Sequence, residues 1–393
     1  MKKLTTILLI CLLLLSTMPV SVMALIVDPL TITAKLDAGS TEKDLITVTL
    51  PPTAPKGDVV FIFDASGSMA VELASMKTQA GDIMNEVRAS VPDTDFGVGS
   101  FVDYPHAYDS YGYSDTYGSG DDYAWRVDQD ITSNTALIPA AFDNIVIKFG
   151  DDSPQDYSRA LYESRFFAWR SGAKKIVVTF GDAPPHAQPS GTTLPAPYTL
   201  SASYGGDPGR DEIMFTPDDL DFVPVVQSLV DDNIVVIAVD SSTGGDAQLA
   251  FQYEADKTGG SRFVYTSDSI AEDIVDKINE ATSAPIKKLT VKVREPAYAG
   301  WVVVIPPEFN DVSWGSTKQF NVEITPPVGT ISGNYVLHLD VFGDGVLLGT
   351  TTVSKDISGT PISTPEFPSL ALPIAMIIGL VFIASSVRSR KDN

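Results

Sequence analysis

A run of five apolar residues at 59–63 leads directly into the pentapeptide Asp64-Ala65-Ser66-Gly67-Ser68. The apolar run predicts a strand buried on both faces, and the polar pentapeptide predicts a tight turn at its carboxyl end. One carboxylate and two hydroxyls then share a single turn. Such oxygen donors suit a small hard dication, so the motif predicts a Mg²⁺ site, with Mn²⁺ or Ca²⁺ as alternatives. The simpler alternative is an Asp that caps the next helix.

Residues 57–285 alternate apolar runs with helical patterns, which predicts an α/β domain with a doubly wound, mostly parallel sheet of Rossmann-like type. The predicted strands cover residues 58–63, 96–102, 175–180, 234–239 and 262–265, and the predicted helices cover 71–90, 135–146, 156–169, 218–230, 245–257 and 270–282. Ligands of open parallel sheets collect at the carboxyl ends of strands. Asp64 and Asp182 each follow a predicted strand, so both carboxylates are expected at one edge of the sheet.

The pattern changes after Pro285. Strands separated by Pro- and Gly-bearing turns are predicted at 288–293, 300–305, 318–324, 332–341 and 345–353, which indicates a small β-sandwich over residues 286–358. Residues 25–56 also contain two alternating segments, at 30–36 and 45–50. Two strands alone cannot bury a face. We therefore expect them to complete the sandwich, with the α/β domain inserted between its parts.

The first 24 residues have the features of a secretory signal peptide. Lys2 and Lys3 precede an apolar run, and Val22-Met23-Ala24 offers small residues for cleavage. The single cysteine, Cys11, lies in this segment. An exported mature chain without thiols must be stabilised by core burial and bound metal rather than by disulfides.

The other end of the chain predicts membrane attachment. A linker at 359–368 contains Pro365-Glu366-Phe367, an apolar span follows at 369–387, and residues 388–393 form a basic tail. The span is just long enough to cross a bilayer, with the basic residues on the cytoplasmic side. The three features together resemble the PEF-type C-terminal sorting signal of archaeal surface proteins. The resemblance implies an archaeosortase that cuts near the tripeptide and attaches the product to a lipid; a plain membrane anchor is the alternative.

The net charge of −23 disfavours nucleic acid and anionic membrane surfaces as partners, and it favours divalent cations. Strong acidity is consistent with a protein that faces outward on the cell surface.

The strand followed by Asp-x-Ser-x-Ser resembles the metal-ion-dependent adhesion site (MIDAS) of von Willebrand factor A domains, in which the metal captures an acidic group from a partner. Asp182-Ala183-Pro184-Pro185-His186 is similar to the Asp-Ala-x-x-His stretch of integrin β chains. The resemblance implies direct ligation by Asp64, Ser66 and Ser68, with Asp182 assisting through water or a hydrogen bond. It also implies an integrin β I-like domain inserted in a β-sandwich.

A further ligand is implied by the loop before residue 156. Integrin β chains have Asp-x-Pro-Glu here, with Glu as a metal ligand, whereas this chain has Gln155, which brings no charge. Ser153 is a rival donor. Gly-Ser-Phe-Val-Asp-x-Pro at 99–105 also resembles the integrin β pattern and implies a second cation, such as Ca²⁺, held by Asp103, Asp152 and the Pro154 carbonyl.

Residues 104–130 are rich in Tyr, Asp and Gly and predict a long loop beside the metal. Tyrosine rings on such loops offer contact area with a polar tip, which favours partner recognition. A solvated acidic loop is the alternative. The predicted partner-binding residues are Tyr108, Tyr111, Tyr113, Tyr117 and Tyr123.

These patterns predict a membrane-tethered cell-surface protein that binds a carboxylate-bearing protein or surface ligand, in adhesion or envelope assembly, and not an enzyme. A structural surface-layer protein with a fold-stabilising metal is the second class, and a metal-dependent hydrolase is the third. The chain has no Gly-x-Ser-x-Gly elbow, no Cys/His zinc constellation and no phosphate loop with Lys.

Overall fold

The computed structural model describes residues 25–54, 56–110, 113–187, 194–266 and 269–358. The predicted signal peptide, linker, apolar span and basic tail lie outside these residues. The strands are β1 (Ile26–Asp28), β2 (Thr31–Asp37), β3 (Glu42–Thr49), β4 (Gly57–Asp64), β5 (Thr94–Phe101), β6 (Ala107–Ser110), β7 (Tyr113–Thr116), β8 (Arg126–Thr132), β9 (Lys174–Gly181), β10 (Ile234–Asp240), β11 (Ser261–Val264), β12 (Ile286–Val293), β13 (Val302–Ile305), β14 (Glu308–Val312), β15 (Thr317–Ile324), β16 (Gly333–Gly343) and β17 (Val346–Ser358).

The helices are α1 (Ala70–Ser90), α2 (Leu137–Asn144), α3 (Tyr157–Ser164), α4 (Phe222–Asp231), α5 (Asp246–Thr258) and α6 (Ile270–Ser283), with short 3-10 helices at Gly67–Met69 and Pro296–Trp301. Within the described ranges, no helix has the length and apolar character needed to cross a membrane.

The central sheet has six strands in the order β11-β10-β9-β4-β5-β8. β4 pairs in parallel with both β5 and β9, and β9 pairs in parallel with β10. All residues of β4 are buried, as its continuous apolar sequence predicts for a strand covered on both faces. The predicted α/β class is confirmed, with a sheet that is mostly parallel and has one antiparallel edge strand, β8.

Helices cover both faces of this sheet. The side chains of β4 alternate, so Val59, Phe61 and Phe63 pack with α1, α2 and α6, while Val60 and Ile62 pack with α3, α4 and α5. The two layers define a unit over residues 57–283, which we call the α/β unit. Its carboxyl edge, where β4, β5, β9 and β10 end, carries the candidate metal ligands.

One expectation about this unit is wrong. The sequence predicts a loop over residues 104–130, but strands β6 and β7 pair as a hairpin there and β8 begins at Arg126. The sequence of β8 is largely polar because the strand lies at the sheet edge, where most of its side chains are partly exposed or exposed. An edge strand of this kind lacks the apolar run that identifies a buried strand.

The remaining strands form two sheets, in the orders β1-β3-β15-β13 and β14-β12-β16-β17-β2. β3 pairs antiparallel with β15, and β2 pairs in parallel with β17. Strands from before and after the α/β unit therefore share sheets and a common core, in which Ile46, Phe320 and Leu339 are fully buried. We call this part the sandwich unit.

A buried ion pair connects β17 and β3 of the sandwich unit. The Lys355 amine on β17 lies 2.6 Å from Glu42 and 3.1 Å from Asp44, both on β3, and its side chain is only 1% exposed. A cation this deeply buried is tolerated because two carboxylates surround it.

We expect Lys355→Ala to lower the free energy of unfolding by about 2 kcal/mol, because it leaves two half-buried carboxylates facing each other. Chemical denaturation followed by circular dichroism measures the loss. The control is Lys35→Ala, which breaks the exposed pair with Asp356 at 3.8 Å and should change stability by less than about 0.5 kcal/mol. Equal losses in the two variants would contradict this role for Lys355.

Candidate metal centre at the carboxyl edge of the sheet

Asp64 ends β4 and is fully buried. Its Oδ1 accepts a hydrogen bond from the Ser66 amide at 2.8 Å, which closes a tight turn. The Ser66 and Ser68 hydroxyl oxygens lie 3.4 Å apart. The N-cap position of the following 3-10 helix belongs to Ser66, not to Asp64. The turn thus gathers one carboxylate and two hydroxyls, as the sequence predicts.

Asp182 directly follows β9, the strand that pairs with β4 in register from Gly57 to Phe63. Its carboxylate accepts a hydrogen bond from Ser68, and its negative charge acts on Asp64. The structure therefore brings together Asp64, Ser66, Ser68 and Asp182, which we call the metal centre. Their oxygens are hard donors of the kind that Mg²⁺ takes.

The electrostatics of the metal centre favour a bound cation. The pKa of Asp64 is raised from 3.8 to about 7, mainly by burial and less by the nearby Asp182, against hydrogen bonds from Tyr157 and Ser66 that lower it. Burial also raises the pKa of Asp182. Two adjacent acids in a desolvated position are costly to ionise together, and a divalent cation removes that cost.

Tyr157, at the start of α3, was not predicted as part of the site. Its fully buried hydroxyl donates to Asp64 Oδ2 at 2.6 Å and accepts from the Asp182 amide at 3.2 Å. A Cβ at Gly181 would overlap this hydroxyl, so the glycine is required here. Burial, followed by the charge of Asp64, raises the pKa of Tyr157 well above its ordinary value, so the hydroxyl stays a donor.

Gln155 is 3% exposed, and its side-chain Oε1 is buried with no hydrogen-bond partner among the described residues. Its backbone is bonded to the loop that carries Asp182: its amide donates to the Pro184 carbonyl, and its carbonyl accepts from His186. An unpaired buried carbonyl oxygen is costly. Gln155 therefore offers a neutral oxygen to a cation.

A second group of candidate ligands gathers Asp103 after β5, Asp152 before α3 and His186 after β9. His186 Nε2 is 3.1 Å from Asp103 Oδ2 and 3.9 Å from Asp152 Oδ1, and one ligand atom from each residue lies within 4.8 Å of the others. We call these three residues the second acidic group. The structure brings Asp103 and Asp152 together, as predicted, and adds His186, to which no ligand role was assigned. Pro154 is buried in the same loop as Asp152.

His186 can serve this group in two ways. Burial alone would lower its pKa, but Asp103 and then Asp152 raise it above the ordinary value. A protonated ring forms an ion pair with Asp103, whereas a neutral ring can ligate a metal through Nε2. The Tyr204 carbonyl lies 2.5 Å from Nδ1 and fixes the ring orientation.

Two further acids beside this group were missed from the sequence. Asp156 is fully buried, and both its carboxylate oxygens lack a hydrogen-bond partner among the described residues. It holds the N-cap position of α3 but makes no side-chain cap bond. Burial and then the charges of Asp103 and Asp207 raise the pKa of Asp156 well above its ordinary value. The Asp156 carboxylate makes no cap bond and lies close to other acids. Such an arrangement indicates a place for a cation.

Asp207 is also fully buried, and burial raises its pKa to about 6. Its Oδ1 accepts from the Tyr104 hydroxyl and the Gly209 amide, both at 2.9 Å. Asp207 lies in a Pro/Gly/Ser-rich segment without helix or strand pattern, so no local signal marks it. Asp156 carries only the weak signal of standing next to Gln155.

The predicted partner-binding tyrosines do not form a free surface. Tyr117 is fully buried, and its ring stacks on His186 at a centroid distance of 3.8 Å and an interplanar angle of 9°. Tyr113 donates from its hydroxyl to Asp152 at 2.7 Å. These two residues therefore line the second acidic group. Their rings exclude water while their hydroxyls satisfy polar neighbours.

The other predicted tyrosines are similarly engaged or lie outside the described residues. The Tyr108 hydroxyl donates to the Glu212 carbonyl at 3.1 Å, and the Tyr123 hydroxyl lies 2.8 Å from Ser100 Oγ. Tyr111 lies outside the described residues. The tyrosine-rich segment is thus mainly an inner wall of the site.

Comparison with known families bears on the C-terminal segment. Residues 364–385 match the PEF-CTERM archaeal protein sorting domain. The predicted sorting signal is confirmed. A PEF-CTERM segment implies processing by an archaeosortase and a cell-surface protein that is anchored at its C-terminus.

Solved structures similar to this chain include a von Willebrand factor type A protein from Catenulispora acidiphila, with 13% identity and a TM-score of 0.38, covering 85% of this chain and 73% of that one. Proximal thread matrix protein 1 from the mussel byssus has 15% identity and a TM-score of 0.36, covering 61% and 48%. The pilus adhesin SpaC from Lactobacillus rhamnosus GG, in its open conformation, has 12% identity and a TM-score of 0.37, covering 86% and 47%.

The match spans about half the length of the mussel protein and of the pilus adhesin. No curated protein matches the sequence. The ligand assignments above therefore rest on the geometry of this chain itself.

The charge state of Asp64 gives a pH-dependent prediction. Its folded pKa of about 7 exceeds the ordinary 3.8, so in chelator its contribution to stability falls as pH rises between these values. We expect Asp64→Asn to stabilise the metal-free protein by roughly 2–4 kcal/mol at pH 8 and to have little effect at pH 4. Urea unfolding in chelator at pH 8 and at pH 4 measures both stability differences.

In saturating Mg²⁺ at pH 8 we expect wild type to be more stable than Asp64→Asn, because only the wild-type carboxylate is stabilised by the cation. Asp82→Asn, which changes an exposed acid on α1, is the control for general charge effects. A variant that is less stable than wild type in chelator at pH 8 would contradict the burial argument.

The role of Tyr157 can be separated from folding. We expect Tyr157→Phe to weaken Mg²⁺ binding about tenfold, because the hydroxyl that orients Asp64 is lost. Isothermal titration calorimetry measures this change. Tyr162→Phe removes a hydroxyl from the same helix away from Asp64, and it should bind Mg²⁺ like wild type. Unchanged affinity in Tyr157→Phe would exclude an orienting role.

Proposed function

We propose that this is an exported, surface-anchored binding protein whose metal centre takes a divalent cation, with Mg²⁺ preferred over Mn²⁺ and Ca²⁺. Asp64, Ser66 and Ser68 ligate the ion, and Asp182 and Gln155 complete its surroundings. An acidic group of a protein or surface ligand fills the remaining position. The observation that carries the proposal is the meeting of Asp64, Asp182 and both serine hydroxyls at the ends of adjacent parallel strands.

The charge balance supports capture of an outside acid. With one direct carboxylate and two neutral hydroxyls, a bound dication keeps net positive charge and attracts an anion. Mg²⁺ prefers octahedral coordination and keeps exchangeable water positions, so a partner carboxylate can replace a water. This arrangement corresponds to a MIDAS, and the proposal includes a doubly wound von Willebrand factor A domain of integrin β I-like subtype inserted in a β-sandwich.

The second acidic group is proposed to hold a neighbouring cation, with Ca²⁺ as the best candidate. Asp103, Asp152 and the Pro154 carbonyl supply oxygen ligands, and neutral His186 offers a nitrogen. The unpaired oxygens of buried Asp156 support a cation there. They also favour the second candidate function, a structural envelope protein in which metal stabilises the fold.

No catalytic role is proposed. His186 faces Asp103 and Asp152 rather than Ser66. His338 pairs with Glu295 in the sandwich unit, and His106 lies near Glu212. Ser66 therefore has no His base among the contacts of the described residues, as a serine hydrolase would require.

Capture from the native cell envelope tests the adhesive function. The full chain is immobilised and exposed to solubilised envelope, in Mg²⁺ or in chelator, as wild type and as Ser68→Ala. We expect metal-dependent capture of an acidic ligand by wild type only, because Ser68→Ala removes a ligand while leaving the buried Asp64 in place. Ser90→Ala, at an exposed helix end, is the matched control and should capture like wild type.

The same preparations separate the two candidate functions. Capture that persists in chelator and in Ser68→Ala, together with a melting temperature that rises with divalent cation, would leave only the structural role. The absence of Mg²⁺, Mn²⁺ and Ca²⁺ binding to wild type by calorimetry would reject both.

A further inference from the structure

A cavity of about 290 Å³ lies at the end of the α/β unit opposite the metal centre. Its walls come from the first residues of β9 and β10, the start of β12 and the turn between β16 and β17. It therefore lies where the α/β unit meets the sandwich unit. We call it the junction cavity. Its volume is that of a small-molecule site.

Most of the junction cavity is apolar. Side chains from both units contribute to the lining, which includes Val230, Val235, Ile286, Trp314, Val346 and Leu348. The Trp314 indole N–H donates to the Ala284 carbonyl at 3.0 Å, so this large side chain is held in place. Ligand sites combine such apolar walls with a few polar groups that fix orientation.

Three of the polar side chains of the lining are amines. Lys174, Lys175 and Lys287 line the cavity, and Lys175 Nζ donates to the Asp232 carbonyl at 3.1 Å. No carboxylate among the described residues forms an ion pair with Lys174 or Lys287 under a 4.0 Å limit. Two amines thus face the cavity region without a counter-ion in contact.

The lining also contains two acids, Asp232 and Asp344. Asp232 pairs with Arg165 at 2.6 Å, and Asp344 Oδ1 accepts from the Lys288 amide at 2.8 Å. Three lysines against two acids leave the lining with a surplus of one positive charge, in a chain whose net charge is −23. The positive charge of the cavity, in an otherwise acidic chain, is the feature that a ligand would recognise.

Burial makes the positive charge of Lys174 unfavourable. Burial is the main cause that lowers the pKa of Lys174; the charge of Asp344 opposes it, and the like charge of Lys287 adds a smaller lowering. An anion placed between the two amines would relieve both effects.

We propose that the junction cavity binds a small amphipathic monoanion, with its carboxylate between Lys174 and Lys287 and its apolar part against Trp314 and Val346. A carboxylate fits better than a larger polyanion, because the cavity is small and its walls are mostly apolar. The ligand touches both units, so its binding restrains their relative movement. This site is separate from the metal centre and does not depend on the proposed adhesive function.

Calorimetry with octanoate tests the proposal on the full chain. Octanamide has the same shape without the charge and is the matched probe. All titrations are made in chelator, because a metal at the metal centre would itself bind carboxylates. We expect octanoate to bind at least tenfold more tightly than octanamide. Lys174→Met and Lys287→Met should each abolish that preference.

Lys35→Met, at an exposed position on β2 that is not part of the cavity lining, should retain the preference of wild type. Equal affinity of wild type for octanoate and octanamide would overturn the proposal, and so would the absence of octanoate binding to wild type in chelator. Lys174 is partly buried, so folding of its variant is checked by circular dichroism. Lys287 is exposed, so Lys287→Met decides the outcome if Lys174→Met misfolds; wild-type affinity in Lys287→Met would then overturn the proposal.

Discussion

The hydrogen bond from Tyr157 to Asp64 is the constraint on which the candidate metal centre depends. It joins the first turn of α3 to the end of β4, and the same hydroxyl accepts from the amide of Asp182 after β9. One buried phenol thereby fixes the relative positions of the two carboxylates. Close packing at Gly181 leaves the hydroxyl no alternative position, so the donor set is already arranged before a cation arrives.

Local sequence pattern accounts for the part of the site that lies on strand ends. The apolar run of β4 is continuous, and that of β9 is interrupted only by Thr179, because both faces of the sheet are covered; Asp64 ends β4, and Asp182 directly follows β9. Asp64 and Asp182 could therefore be located from spacing alone. The pairing of β2 and β3 with C-terminal strands follows equally from the inability of two isolated strands to bury a face.

Other parts of the site depend on tertiary contacts that leave no local signal. Asp156 has the sequence context of a helix cap, yet its carboxylate makes no cap bond. Asp207 and Tyr117 come from segments that suggest exposed loops, but each is buried against the second acidic group. Composition shows only that these segments are polar. Their burial depends on the fold, in which long loops return over the sheet edge and enclose these residues.

The position of β17 has a mechanical consequence. This strand of 13 residues ends at Ser358, shortly before the sorting segment that begins at 364. It is held on both sides, by β16 and by β2. Tension between the cell envelope and an attached object would enter along β17, perpendicular to its ladder hydrogen bonds. Those bonds would share the load in shear rather than break one after another, as a tether under flow or cell movement requires.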